Sequence, residues 1–177
     1  MELFLNYRKP LYLLITLYSG VSYFYNHNLL KTSNIICGFT LIDTIYNKDI
    51  NTKAEYLLHH FLVLTSYGTY QYYKYNDFLD ITIKPLLSFQ VSSIFLSIHE
   101  LYKKNYYYNK YKIINLILFL SSFVYYRIYM YYYIIVSPQF YLFLNEYNKG
   151  LIIIPYSYFL LNMYWFIGII NKIVKYF

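Results

Sequence analysis

His59 and His60 stand side by side at the head of an apolar run, Leu57-Leu58-His59-His60-Phe61-Leu62-Val63-Leu64. Imidazole is the side chain best placed to take and return a proton near neutral pH. Two of them at the mouth of a hydrocarbon-facing segment call for a cavity or a pathway. Asp43 closes the apolar run before them. A carboxylate opposite an imidazole orients the ring and fixes its tautomer, so Asp43, His59 and His60 are the candidate catalytic residues.

A second polar series lies further along the chain. Gln90, Ser93, Ser97 and Glu100 recur at i, i+3, i+7 and i+10, one face of a helix. Arg127 sits in the middle of an apolar segment and, unlike a lysine, cannot shed its charge there. It requires partners, and Gln90 at a similar depth on the preceding segment is the expected one, in a structural rather than a catalytic contact. Asn115 lies earlier on the segment of Arg127, and Asn162 on the last apolar run. Gln90, Ser93, Ser97, Asn115, Arg127 and Asn162 form the candidate substrate-binding set. No metal is expected: adjacent histidines on a helix point about 100° apart, no HxxxH spacing occurs, and the lone Cys37 excludes a cysteine cage.

These residues must be held by helices in a membrane. The 177-residue chain is 59% hydrophobic and 13% charged, about half the charge of a soluble domain. Its 29 tyrosines share AT-rich codons with the abundant Ile, Asn and Lys, and serve secondarily as an interfacial belt. The net charge of +7 is scattered between apolar runs and forms no stripe, so no nucleic-acid partner is expected. The sequence predicts an all-α, polytopic bundle of about six transmembrane helices, at residues 11–25, 33–46, 56–73, 85–102, 112–133 and 151–170, most near the ~20 residues a helical span needs. Residues 1–32 carry the N-terminal segment with the first helix, and 33–177 form the main helical domain. Lys and Arg number ten in the termini and the second and fourth loops, against four in the others. That bias puts both termini in the cytosol, with Asp43 and the histidines in the cytosolic third of the bilayer. No removable signal peptide is read at the N-terminus.

The ordered motifs resemble those of the TLC-domain family of ceramide synthases, translocating-chain-associating proteins and smaller TLC-domain proteins. The likeness runs through Gly38-Phe39-Thr40-Leu41-Ile42-Asp43, Leu58-His59-His60 with Thr65, the stretch from Gln90 to His99, Asn115 with Arg127-Ile128, and Asn162 with Trp165. It spans the chain from about residue 33 and is nearest the smaller members. Gln90 stands where the family has Glu, and His99 where it has Arg. The acidic cluster that follows the histidine pair in the synthases is not matched, since Asp77 and Asp80 fall in an outward loop.

The resemblance implies a multi-pass protein of lipid metabolism or homeostasis, in the endoplasmic reticulum or another endomembrane. Its partners would be membrane lipids, a phospholipid or a sphingoid base, and a homodimer is the further expectation. The activity stays open between ceramide-synthase-like N-acyl transfer, with acyl-CoA as co-substrate and no bound cofactor, and non-catalytic lipid binding or regulation of membrane composition. Lipid transport is the third option, and no broken helix pair favours it.

Overall fold

A computed structural model describes residues 2–46, 54–73, 83–103, 105, 109–146 and 149–174. Among them all regular structure is helical: α1 (Glu2–Tyr25), α2 (Leu29–Tyr46), α3 (Ala54–Tyr73), α4 (Lys84–Tyr102), α5 (Lys112–Ile135), α6 (Pro138–Glu146) and α7 (Ile153–Val174), the last preceded by a 3₁₀ turn, Lys149–Ile152. Helices satisfy their own backbone, which is why β-prone tyrosine-rich stretches such as residues 125–135 are helical here.

The helices α1 to α5 and α7 occupy the six apolar runs of the sequence, with two corrections. The first run is longer than 11–25, because α1 continues through Pro10. Proline removes one hydrogen bond from a helix interior without ending it when packing holds both sides, so Arg8 and Lys9 ride on α1 itself. Residues 138–144, which the sequence reading assigns to no span, run with Asn145 and Glu146 into the short helix α6. The loops around residues 47–53 and 74–82, with Asp77 and Asp80, lie outside the described residues.

Asn26 and Asn28 (φ 50° and 52°) reverse the chain between α1 and α2. Asparagine tolerates the left-handed region better than most residues, and the His27 amide donates back to the Ser22 carbonyl at 3.1 Å. α4 lies at the centre, packed on α1, α2 and α5, while α3 packs on α2 and α7. Gly20 lets α1 approach: a Cβ there would meet Ile94 Cδ1 at 3.1 Å.

An apolar core that includes Leu62, Leu87, Phe89 and Leu161 shares the interior with many polar side chains, while the surface is strongly apolar. The interior holds Thr16, Ser19, Thr32, Asp43, Ser92, Arg127 and Asn162, all under 9% exposed. The exterior shows Leu14, Phe61, Ile113, Ile117, Leu142 and Leu160, each at least 60% exposed. Small hydroxyl residues pack helix against helix where the solvent is hydrocarbon. Two helical stretches, Lys112–Ile135 and Lys149–Val174, are long and apolar enough to cross a membrane; they contribute Arg127 and Asn162 to the interior, and the other long helices contribute the remaining buried polar residues.

Candidate functional site

Asp43 is the last inward-facing residue of α2, and Arg8 reaches it from α1. Arg8 Nε donates to Oδ1 at 2.5 Å and Nη2 to Oδ2 at 3.1 Å, a two-point clamp on a buried carboxylate. His60 on α3 approaches from the other side, its Nε2 3.9 Å from Oδ2. The opposite ring nitrogen is 2.6 Å from Thr44 Oγ1. Thr44 spends its only proton on the Thr40 carbonyl at 2.7 Å, so it accepts from His60 Nδ1–H. The tautomer is thereby fixed, with Nε2 as the ring's free face toward Asp43. Arg8 was not among the sequence candidates. Its signal is a cation two residues before Pro10, just ahead of the apolar run 11–25 read as the first span.

His59, one position earlier, points about 100° away and enters an aromatic cluster. Its ring lies 5.3 Å from that of Trp165, edge to face, and 6.2 Å from that of Tyr158. Its buried Nδ1 has no hydrogen-bond partner. The two histidines therefore differ in kind: His60 is anchored through Nδ1 on Thr44, and His59 keeps its buried Nδ1 uncommitted.

Arg127 occupies a π-helical segment of α5, Val124–Tyr129. Such a segment widens the turn by one residue and recurs at functional sites. Here it delivers the guanidinium to α4, where Nε donates to Ser92 Oγ and Nη2 to Ser93 Oγ, both at 2.7 Å, and Nη2 also to the Phe89 carbonyl at 3.3 Å. Ser92 and Ser93 direct their own protons to that same carbonyl, leaving their lone pairs to Arg127. Nη1 reaches Asn162 Oδ1 on α7 at 3.5 Å. The rings of Phe89, Phe123 and Trp165 lie 5.2–5.9 Å from Cζ, close enough for cation–π attraction. Among the described residues no carboxylate pairs with this charge.

The expected bond between Gln90 and Arg127 is not made. Phe89, Ser92 and Ser93 share one face at i, i+3 and i+4, whereas Gln90 is turned about 100° from Phe89, and its buried Oε1 is without a partner. Of the six sequence-predicted binding residues, Ser93, Arg127 and Asn162 come together. Ser97 is buried and returns its proton to the Ser93 carbonyl. Asn115 ties α5 to α4 through the Phe95 carbonyl at 3.0 Å. Glu100 meets Lys9 at 3.6 Å and Lys103 at 2.9 Å near one end of the bundle. Tyr158 and Trp165 were not singled out for the site. Tyr158 adjoins Ser66, but its hydroxyl finds no partner of hydrogen-bond geometry, and the Asn162 amide nitrogen is likewise unpartnered. Among the described residues no group of three or more His, Cys, Asp or Glu is placed to hold a metal.

Compared with known families, residues 5–171 match the model of the TLC domain. The match begins within α1 and ends within α7. No curated protein and no solved structure matches the chain.

Proposed function

The chain belongs to the TLC-domain family, and from that premise we propose that it handles membrane lipids in an interior polar pocket bounded by His59, Arg127 and Asn162. Six helices, α1 to α5 and α7, cross the bilayer in this reading, with both termini cytosolic and the protein resident in the endoplasmic reticulum or a related membrane. The carrying observation is the unpartnered Nδ1 of His59, buried beside Trp165 and Tyr158. A buried imidazole nitrogen without a partner costs free energy unless a ligand meets it.

The reaction such a nitrogen supports is acyl transfer to a lipid amine or hydroxyl. With an acyl-CoA donor, His59 removes the proton from the attacking nitrogen or oxygen. The new C–N or C–O bond forms as the C–S bond breaks, and the proton passes to the departing thiolate. His60, held by Thr44 and facing Asp43, positions the pair rather than performing the transfer. Arg127, Ser93 and Asn162 hold the polar end of the lipid, phospholipid or sphingoid base.

One observation favours the non-catalytic alternative, a lipid-binding regulator of membrane composition. Asp43 is clamped by Arg8 at a shorter distance than it stands from His60, so the carboxylate serves the helix packing first. Purified protein with labelled acyl-CoA and a panel of lipid amines and hydroxyls separates the two. Turnover that disappears in His59→Ala establishes transfer; lipid retention without turnover in wild type leaves the binder.

A further inference from the structure

A guanidinium carries five N–H donors. Arg127 commits Nε to Ser92 and Nη2 to Ser93 and Phe89. Its Nη1 has only the Asn162 oxygen at 3.5 Å, the outer limit of a hydrogen bond. That under-used edge faces α7, where Tyr158 and Asn162 stand at i and i+4 on one face. The Asn162 amide nitrogen and the Tyr158 hydroxyl are both buried and both unpartnered, their residues 2% and 1% exposed.

Nη1 and the Asn162 amide thus stand together, with the Tyr158 hydroxyl one helical turn away on α7, at a buried positive charge that, among the described residues, has no carboxylate. Neutral acceptors and three rings soften the charge without neutralising it. A charge at this position is stable in hydrocarbon surroundings when an anion completes it. The donors match the lone pairs of an oxyanion, and the only anions soluble in such a place are those attached to acyl chains.

We propose that Arg127, Asn162 and Tyr158 form a subsite for a lipid oxyanion, the carboxylate of a fatty acid or the phosphate of an anionic phospholipid, bound by Nη1, the amide nitrogen and the phenol. The proposal rests on the lipid-handling reading and gives it a polarity: the pocket selects an anionic lipid end over a neutral one of equal chain length. His59 Nδ1 opens on the same aromatic cluster through Trp165, which places the uncommitted base beside the bound head.

Trp165 is the sole tryptophan of the chain, and its ring lies 5.9 Å from Arg127 Cζ, so its fluorescence reads the subsite directly. The full chain is reconstituted in neutral phosphatidylcholine. It is then titrated with a dibrominated fatty acid against its methyl ester, and with dibrominated phosphatidate against dibrominated phosphatidylcholine. Charge-assisted hydrogen bonds predict quenching by an anionic lipid at about tenfold lower mole fraction than by its neutral counterpart; which pair shows the difference identifies carboxylate or phosphate. Arg127→Gln removes the preference, and Tyr158→Phe, which keeps the ring, lowers it several-fold. Equal quenching within both pairs in wild type overturns the proposal and marks Arg127 as a structural brace. A preference that survives unchanged in Arg127→Gln overturns it too. Should that variant not fold, full preference in both Tyr158→Phe and Asn162→Leu does the same. His60→Ala separates this outcome from the reaction: it retains the preference while losing turnover. Turnover in wild type without any anionic preference removes the subsite and leaves lipid transfer standing.

Discussion

Arg8 Nε lies 2.5 Å from one oxygen of Asp43, while His60 Nε2 stands 3.9 Å from the other. One carboxylate therefore joins three helices, α1, α2 and α3, and the arginine has the stronger hold. The sequence groups Asp43 with His59 and His60; the structure sets Asp43 between Arg8 and His60, and places His59 against Tyr158 and Trp165 instead.

That arrangement is measurable as a coupling. Arg8→Ala and Asp43→Asn, singly and together, form a double-mutant cycle read by thermal unfolding in detergent. A two-point ion pair between a partly exposed arginine and a buried carboxylate gives a coupling of about 0.5–3 kcal/mol. Additive losses would mean that the clamp contributes nothing to stability.

Thr44 fixes the tautomer of His60 through a single oxygen. Thr44→Val preserves shape and removes that acceptor, so lipid turnover should fall about tenfold or more, and Thr44→Ser should restore most of it. Full activity in the valine variant would detach the tautomer from function.

Gly20 faces Ile94, a flexible side-chain end rather than backbone. Gly20→Ala is expected to cost less than about 1 kcal/mol, because the Ile94 terminus yields by a few tenths of an ångström. Gly20→Leu over-packs the α1–α4 seam, at about 1–3 kcal/mol. Unfolding midpoints of the two variants decide it, and equal midpoints would show that the helices are not held at this distance.

The six-span topology proposed above puts Asn28 and Asn105 on opposite sides of the membrane. With Cys37 replaced by serine, single cysteines at these two positions should label from opposite sides with an impermeant maleimide. Labelling of both from one side would refute the topology.

Much of this was legible in the chain. Counting residues from a short loop put Asp43 and the histidines at one depth, and the structure brings Asp43 and His60 within 4 Å. The apolar runs located the long helices, two of which are long and apolar enough to cross a membrane. The errors have two causes, helical phase and a misread boundary. Gln90 was matched to Arg127 by depth alone, whereas Phe89, Ser92 and Ser93 own the face that meets it. Arg8 was hidden by Pro10, which reads as a boundary and is in fact internal to α1. The π segment at Val124–Tyr129 cannot be seen in the pattern of apolar residues, because a lipid-facing helix is apolar all round and carries no phase to be shifted.

That segment divides α5 into two parts with separate registers. Before it, residues 112–123 bury Phe123 alone; after it, Tyr131 and Ile135 join the interior. One surplus residue acts as a vernier between a largely exposed part and a part that buries Tyr131 and Ile135, and Arg127 is on the dial. Deleting a single residue there would leave the length and hydrophobicity of the span nearly unchanged, yet swing the guanidinium by about 100° from its serines into lipid. The site is thus tuned by an integer, the number of residues in one turn, as much as by the chemistry of its side chains.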